Sequence, residues 1–174
     1  MSYFLNIDTA TEQASVCLSE DDRVLEIQIS TDQKNHASFL QPAIQNILQK
    51  TGLQLSQIDA VAVTGGPGSY TGLRVGLASA KGICYTLTKP LIIINTLEVM
   101  AVAAMEGEKQ TEEYLICPMI DARRMEVFTA VYNQSLQIIM EPKPMILDQH
   151  SFSELLEKQS ILFFGSGAEK LKGI

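Results

Sequence analysis

The chain has 174 residues, and its 46% hydrophobic and 19% charged side chains are typical of a globular protein that buries a core. The formal net charge of −7 argues against a protein that holds a nucleic-acid backbone by itself, because that affinity comes largely from Lys and Arg. No apolar run approaches the roughly 20 residues of a membrane helix, and no secretory signal precedes Asp8, so we expect a cytoplasmic protein without membrane contact.

The sequence of the first half of the chain predicts secondary-structure elements in the order βββαβα. A polar turn at residues 20–23 indicates a hairpin, and helical periodicity begins at residue 37 and stops at Thr51-Gly52. A strand then runs into the glycine-rich turn at residues 65–68, and a helix of small residues follows. The other predicted elements are strands at residues 3–8, 15–19, 24–29, 58–63 and 91–94, and a helix at residues 72–86.

The second half repeats this order after a polar, charged link at residues 106–113. Each half starts with an apolar strand that closes on an acid, Asp8 or Asp121. The duplication predicts an α/β protein with two ribonuclease-H-like lobes, residues 1–108 and 109–174, the second of them incomplete. A single α/β domain without a repeat is the alternative. The predicted elements are strands at residues 114–120, 125–132, 137–140 and 161–164, and a helix at residues 151–158.

The most specific segment is the stretch GGPGSYTGLRVG at residues 65–76, where a strand turns into a helix. The free N–H groups of such a helix start bind anions, which would place phosphate near Gly66 and Gly68. The spacing fits neither a Walker loop nor a dinucleotide fingerprint, and Ser69 lacks the flanking glycines of a nucleophile elbow. A structural turn is therefore favoured, and phosphate binding is the alternative.

A ridge of small residues runs along the helix after this turn. Gly68, Gly72, Gly76 and Ala80 recur every four residues, with Ser79 beside them. Such a ridge lets another helix approach closely. Because the leucines of the same helix provide a second, apolar face, we expect burial on both faces and hence a partner. Packing of the ridge against the chain's own sheet is the alternative.

Few side chains of catalytic or metal-binding type stand together. Asp8 and Asp121 close matching strands, where they either flank a metal–nucleotide cleft or cap turns. His36 and His150 have no ligand-spaced Cys or acid beside them, so we predict no metal site. No nucleophile and base occur at a spacing typical of hydrolases, so we also predict no catalytic residue. The three cysteines, which are far apart in apolar segments, are expected to be reduced core thiols: Cys17, Cys84 and Cys117.

Several pieces of the chain resemble the TsaB family, in this order: residues 7–11 (IDTAT), His36, residues 66–76, and Asp121-Ala122-Arg123 with Glu126-Val127. The resemblance spans nearly the whole chain and implies the actin/Hsp70/sugar-kinase fold. It also implies a heterodimer with the catalytic paralogue TsaD, on which the small ATPase TsaE docks, and a homodimer when the chain is alone. The implied function is a non-catalytic scaffold or activator in the synthesis of threonylcarbamoyladenosine beside the tRNA anticodon, with tRNA bound only through the complex.

One departure from the catalytic paralogue bears on this chain's own role. TsaD-type relatives carry two metal-binding histidines four residues apart, and the matching positions here hold Thr96 and Met100. Neither side chain replaces an imidazole as a ligand for a hard or borderline metal. We therefore expect no cofactor in this chain, with ATP or ADP and metal in the partner subunits. A stand-alone ATP-using or glycoprotease-like enzyme of the same fold is the alternative.

The resemblance implies two sets of site residues. The partner-binding set lies on the two helices of the first lobe and comprises His36, Leu40, Ile44, Gly68, Gly72, Gly76, Ser79 and Ala80. The cleft set is expected to meet a nucleotide or TsaE and comprises Asp8, Thr9, Glu12, Gly66, Gly68, Asp121 and Arg123.

Overall fold

The computed structural model describes residues 1–32, 35–106 and 113–173. Contacts within the chain divide it into two compact units, Met1–Thr96 and Leu97–Ile174. Within the described residues, no helix is long and apolar enough to cross a membrane.

The first unit is built on a five-stranded mixed sheet. Strands β1, β2 and β3 form an antiparallel meander, and β4 and β5 continue the sheet parallel to β1, in the order β3-β2-β1-β4-β5. The two long helices provide the connections into the parallel strands, as crossovers must. The elements are β1 Tyr3–Asp8, β2 Ala14–Glu20, β3 Arg23–Ser30, α1 His36–Thr51, β4 Ala60–Thr64, α2 Tyr70–Leu87 and β5 Leu91–Ile94.

The core of this unit lies between the sheet and its helices. Alternate residues of β1 and β2 face the helices and are fully or almost fully buried, as the period of two in a strand requires. Strand β4, in the middle of the parallel part, is buried at every position. Helix α1 ends where predicted, because Gly52 has the left-handed φ of 70° that closes a helix.

The second unit repeats the arrangement with four strands. Its sheet has the order β8-β7-β6-β9, in which β6, β7 and β8 are antiparallel and β9 is parallel to β6. The first four strands of both sheets therefore follow the same order, which confirms the predicted pair of ribonuclease-H-like α/β lobes. Within the described residues, the second sheet has no counterpart of β5. The elements are α3 Thr96–Glu106, β6 Tyr114–Asp121, β7 Glu126–Tyr132, β8 Ile138–Ile146, α4 Ser153–Leu156 and β9 Ser160–Phe164.

Helix α3 belongs mainly to the second unit. Its buried residues Leu97 and Ala101 pack in one cluster with Tyr114, Ile116 and Tyr132 of the second sheet. The sequence placed the lobe boundary between residues 108 and 109, which lies outside the described residues. The compact units divide earlier, between Thr96 and Leu97, so α3 is grouped with the second unit and not with the first lobe.

Two elements of the second unit differ in length from the prediction. Strand β8 continues to Ile146 through Pro142 and Pro144, because it is an edge strand and proline needs no ladder donor there. Helix α4 is a single turn from Ser153, not a helix from Ser151. The Ser151 hydroxyl instead donates to the Asp148 carboxylate at 3.1 Å and accepts from the Asp148 N–H at 2.9 Å.

Candidate functional site

The glycine-rich turn between β4 and α2 is bonded to the segment that follows β1. The Ser69 N–H donates to the Ala10 carbonyl at 2.7 Å, and the Ser69 side chain accepts from the Gly72 N–H and caps α2. The Gly65 N–H donates to the Ile94 carbonyl at 2.8 Å. These three donors are used inside the protein, and phosphate binding near Gly66 and Gly68 stays a prediction.

Asp8 and Thr9 tie the end of β1 to its neighbours. The Asp8 carboxylate accepts from the Ala10 N–H at 2.9 Å and from the Thr64 hydroxyl at 2.8 Å. The Thr9 hydroxyl, fully buried, donates to the Gly72 carbonyl at 2.7 Å. Asp8 therefore caps a turn, one of the two roles that the sequence allowed it.

The small-residue ridge of α2 packs against the chain itself. A Cβ atom on Gly72 would fall far inside van der Waals contact of the Thr9 carbonyl oxygen, and one on Gly76 would do the same at the Thr9 hydroxyl. A Cβ on Gly68 would meet the Ala10 carbonyl oxygen. This corrects the assignment of the three glycines to partner binding, because the element that approaches the ridge closely is the end of β1.

The partner-binding residues expected on α1 are also buried in the first unit. His36, Leu40 and Ile44 are only 4%, 1% and 4% exposed, and the two aliphatic side chains belong to the core. The His36 ring lies 3.4 Å from the carbonyl oxygen of Glu12. Ala80 is fully buried as well, so of the predicted set only Gly68 and Ser79 keep partial exposure.

The opposite faces of the same two helices form a surface, which we call the α1–α2 outer face. Tyr70 and Tyr85 are 69% and 90% exposed, and the Arg74 guanidinium stacks 4.2 Å from the centre of the Tyr70 ring. Gln41 of α1 donates to the Ser79 hydroxyl of α2 at 3.3 Å, which joins the helices at this surface. Its exposed members are Ala37, Ser38, Gln41, Pro42, Gln45, Tyr70, Arg74, Ala78, Lys81, Gly82 and Tyr85.

None of these residues was predicted from the sequence, although a signal for them existed. Residues 70, 74, 78, 81 and 85 recur at helical spacing, out of phase with the small-residue ridge on the same helix. Large aromatic side chains on the solvent side of a helix are typical of binding surfaces, because they provide much contact area with few rotatable bonds.

Thr96 and Met100 stand at the positions that the resemblance matches to the metal-binding histidines of TsaD-type relatives. Thr96 is buried, its N–H donates to the Gly66 carbonyl at 2.9 Å, and its hydroxyl has no hydrogen-bond partner in the described part of the chain. The Met100 side chain packs on the core of the second unit. Across residues 1–32, 35–106 and 113–173, no group of three His, Cys, Asp or Glu side chains is placed to hold a metal ion.

Asp121 and Arg123 of the cleft set lie in the second unit, at the turn between β6 and β7. The Asp121 carboxylate accepts from the Lys170 ammonium at 2.8 Å and from the Arg123 N–H at 2.6 Å. The bond from Lys170 and then that from Arg123 lower the pKa of this carboxyl. Asp121 therefore also serves its own turn, as Asp8 does in the first unit.

A family model described as "TsaD: tRNA N6-adenosine threonylcarbamoyltransferase" matches residues 23–156. The chain is 29% identical over 167 residues to the tRNA threonylcarbamoyladenosine biosynthesis protein TsaB of Bacillus subtilis, covering 92% of this chain and 69% of that protein. It is 37% identical over 130 residues to TsaB of Escherichia coli, covering 75% of this chain and 54% of that protein. The chain belongs to the TsaB family.

A solved structure has the same fold as this chain. The structure titled "YeaZ from Pseudomonas aeruginosa" superposes with a TM-score of 0.77 at 24% identity, over 99% of this chain and 91% of that one. The likeness confirms the predicted fold class. The chain spans little more than half the length of the Escherichia coli TsaB protein that it matches.

Proposed function

We propose that this TsaB-family chain is a non-catalytic subunit in the biosynthesis of threonylcarbamoyladenosine in tRNA, and that it acts by binding a TsaD-type catalytic paralogue. The names of the curated relatives support the pathway. The observation that carries the non-catalytic role is the chemistry at Thr96 and Met100, the positions at which TsaD-type relatives are expected to carry metal-binding histidines. A buried hydroxyl and a core thioether do not supply that site.

The α1–α2 outer face is the surface that we propose for docking. It combines two exposed tyrosines with small side chains at Ala78 and Gly82, where another helix has room to approach. At Gly82 an added Cβ would meet nothing within 4 Å, so this part of the surface is open. Aromatic anchors beside small residues suit helix-on-helix packing against a paralogue, or against a second copy when the chain is alone.

The reconstituted reaction tests the function. Purified TsaC, TsaD and TsaE should form threonylcarbamoyladenosine on tRNA only when this chain is added, and the chain should not replace TsaD. In that outcome, the ATP is used by TsaE and the metal is held by TsaD, and this chain supplies neither. Product formation that ignores the chain, or ATPase or peptidase turnover by the chain alone, would contradict the proposal and favour the stand-alone enzyme.

A matched pair of variants tests the surface. Ala78→Glu places a charge in the proposed interface and should weaken TsaD binding by about 100-fold or more, since an unpaired buried charge is costly. Gln149→Glu adds the same charge at an exposed site of the second unit and should bind as the wild type does. Size-exclusion chromatography and calorimetric titration measure both, and equal affinities for the two variants would remove this surface from the proposal.

A further inference from the structure

The turn between β6 and β7 holds two arginines in an unusual backbone conformation. Arg123 and Arg124 have successive positive φ angles of 72° and 49°. This left-handed region is costly for side chains with a Cβ atom, and turns that need two such residues in a row prefer Asn or Gly. Arginine at both positions is therefore not explained by the requirements of the turn.

The turn is nevertheless tightly constructed. The Ala122 N–H donates to the Glu126 carbonyl at 3.1 Å, and the Glu126 N–H donates to the Arg123 carbonyl at 3.0 Å. The Lys170 ammonium donates to both the Asp121 carboxylate and the Glu126 carbonyl, each at 2.8 Å. The Asp121 carboxylate thus accepts hydrogen bonds from Lys170 and from the Arg123 backbone N–H, and neither guanidinium group forms an ion pair with it.

These two arginines also differ from the others in the chain. Arginine occurs at four positions, and Arg23 lies 3.9 Å from the Glu20 carboxylate while Arg74 stacks on Tyr70. Arg123 and Arg124 are exposed, and neither guanidinium forms an ion pair or a ring contact with the described residues. A chain of net charge −7 therefore presents two neighbouring guanidinium groups that have no ion pair with the described residues, on a hairpin held by hydrogen bonds.

We propose that the Arg123–Arg124 tip binds phosphate groups of the tRNA in the assembled complex. The planar guanidinium group matches phosphate geometry with two parallel hydrogen bonds, and a hairpin held in place loses little entropy on binding. A strained conformation that folding does not require is often retained at a functional site. This inference rests on the proposed function, because that function is the reason for naming tRNA as the ligand. It goes beyond that function by giving this chain a direct RNA contact, whereas the resemblance implied that tRNA is bound only through the complex.

The experiment measures tRNA binding by the complex of this chain with the TsaD-type paralogue, at several salt concentrations, by fluorescence anisotropy of a labelled tRNA transcript. The test variant is Arg123→Asn/Arg124→Asn, which removes both guanidinium groups and suits the turn. The control is Lys143→Gln/Lys158→Gln, which removes the same charge from exposed sites of the same unit.

We expect the arginine variant to assemble normally and to bind tRNA roughly tenfold more weakly, with the slope of log affinity against log salt reduced by about 1 to 2. The control should retain the wild-type affinity and slope. An unchanged affinity of the arginine variant, or an equal loss in the control, overturns the tRNA contact. A variant that fails to assemble while the wild type assembles shows a protein contact and also overturns it. If the wild-type chain does not assemble at all, the proposed function fails first and this inference with it.

Discussion

Two glycines of helix α2 should respond in opposite ways to the same added methyl group. Gly72 lies against the carbonyl of Thr9, and an alanine Cβ there would overlap a backbone atom at the end of β1. Gly82, on the same helix, is exposed, and a Cβ at this position would meet nothing within 4 Å. The pair separates the effect of close packing from the general effect of replacing glycine in a helix.

The expected magnitudes follow from this geometry. Gly82→Ala should raise the free energy of unfolding by about 0.5–1 kcal/mol, because alanine favours the helix by that amount. Gly72→Ala should gain at most the same helix stabilisation. Overpacking should lower its free energy of unfolding by about 1–3 kcal/mol, because the Thr9 carbonyl is a backbone group that moves only together with the end of β1. The hydrogen bond from the Thr9 hydroxyl to the Gly72 carbonyl, worth about 1 kcal/mol, is also displaced. The two variants should therefore differ by about 2–4 kcal/mol.

Urea unfolding followed by circular dichroism measures the difference, and the absence of tryptophan makes the ellipticity at 222 nm the practical signal. The m-values of the two variants should be compared first, because the chain has two compact units that need not unfold together. If the Gly72→Ala protein is as stable as Gly82→Ala, the end of β1 moves easily away from the small-residue ridge. The ridge would then again be a candidate contact for a partner helix.

Three further outcomes are expected. Asp121→Asn should lower the free energy of unfolding at pH 7, as measured by urea titration. The bonds from Lys170 and Arg123 lower the pKa of Asp121 in the folded state, so the difference in unfolding free energy from the wild type should shrink as the pH falls below the ordinary carboxyl pKa of 3.8. Cys117, whose pKa is raised by burial to about 12, should resist iodoacetamide at pH 8 until denaturant is added, as peptide mass spectrometry would show; labelling of the native protein would contradict its burial. Arg123→Asn/Arg124→Gly should raise the unfolding free energy by about 1–2 kcal/mol by relieving two left-handed residues, and an unchanged urea midpoint would argue against strain at this turn.

Local sequence patterns predicted much of the fold. The polar turn at residues 20–23, the glycine stop of α1 at Gly52 and the recurrence of an acid-closed strand depend on neighbours in the chain, and each predicted an observed feature. The same holds for the family resemblance, which rests on contiguous motifs such as residues 66–76. The turn-capping role of Asp8 was one of two alternatives, and it became visible only in the bonds of its carboxylate to Ala10 and Thr64.

Three-dimensional packing decided which surfaces are free. The spacing of Gly72 and Gly76 shows that something approaches α2 closely, but it does not show whether that is a partner or the end of β1. In the same way, the apolar periodicity of α1 marks His36, Leu40 and Ile44 as one face without telling whether it meets the sheet or another protein. Helical spacing records which residues share a side of the helix, whereas burial depends on residues distant in sequence. For this reason the sequence led to the two helices of the proposed docking surface, and only the tertiary structure showed which side of them remains open.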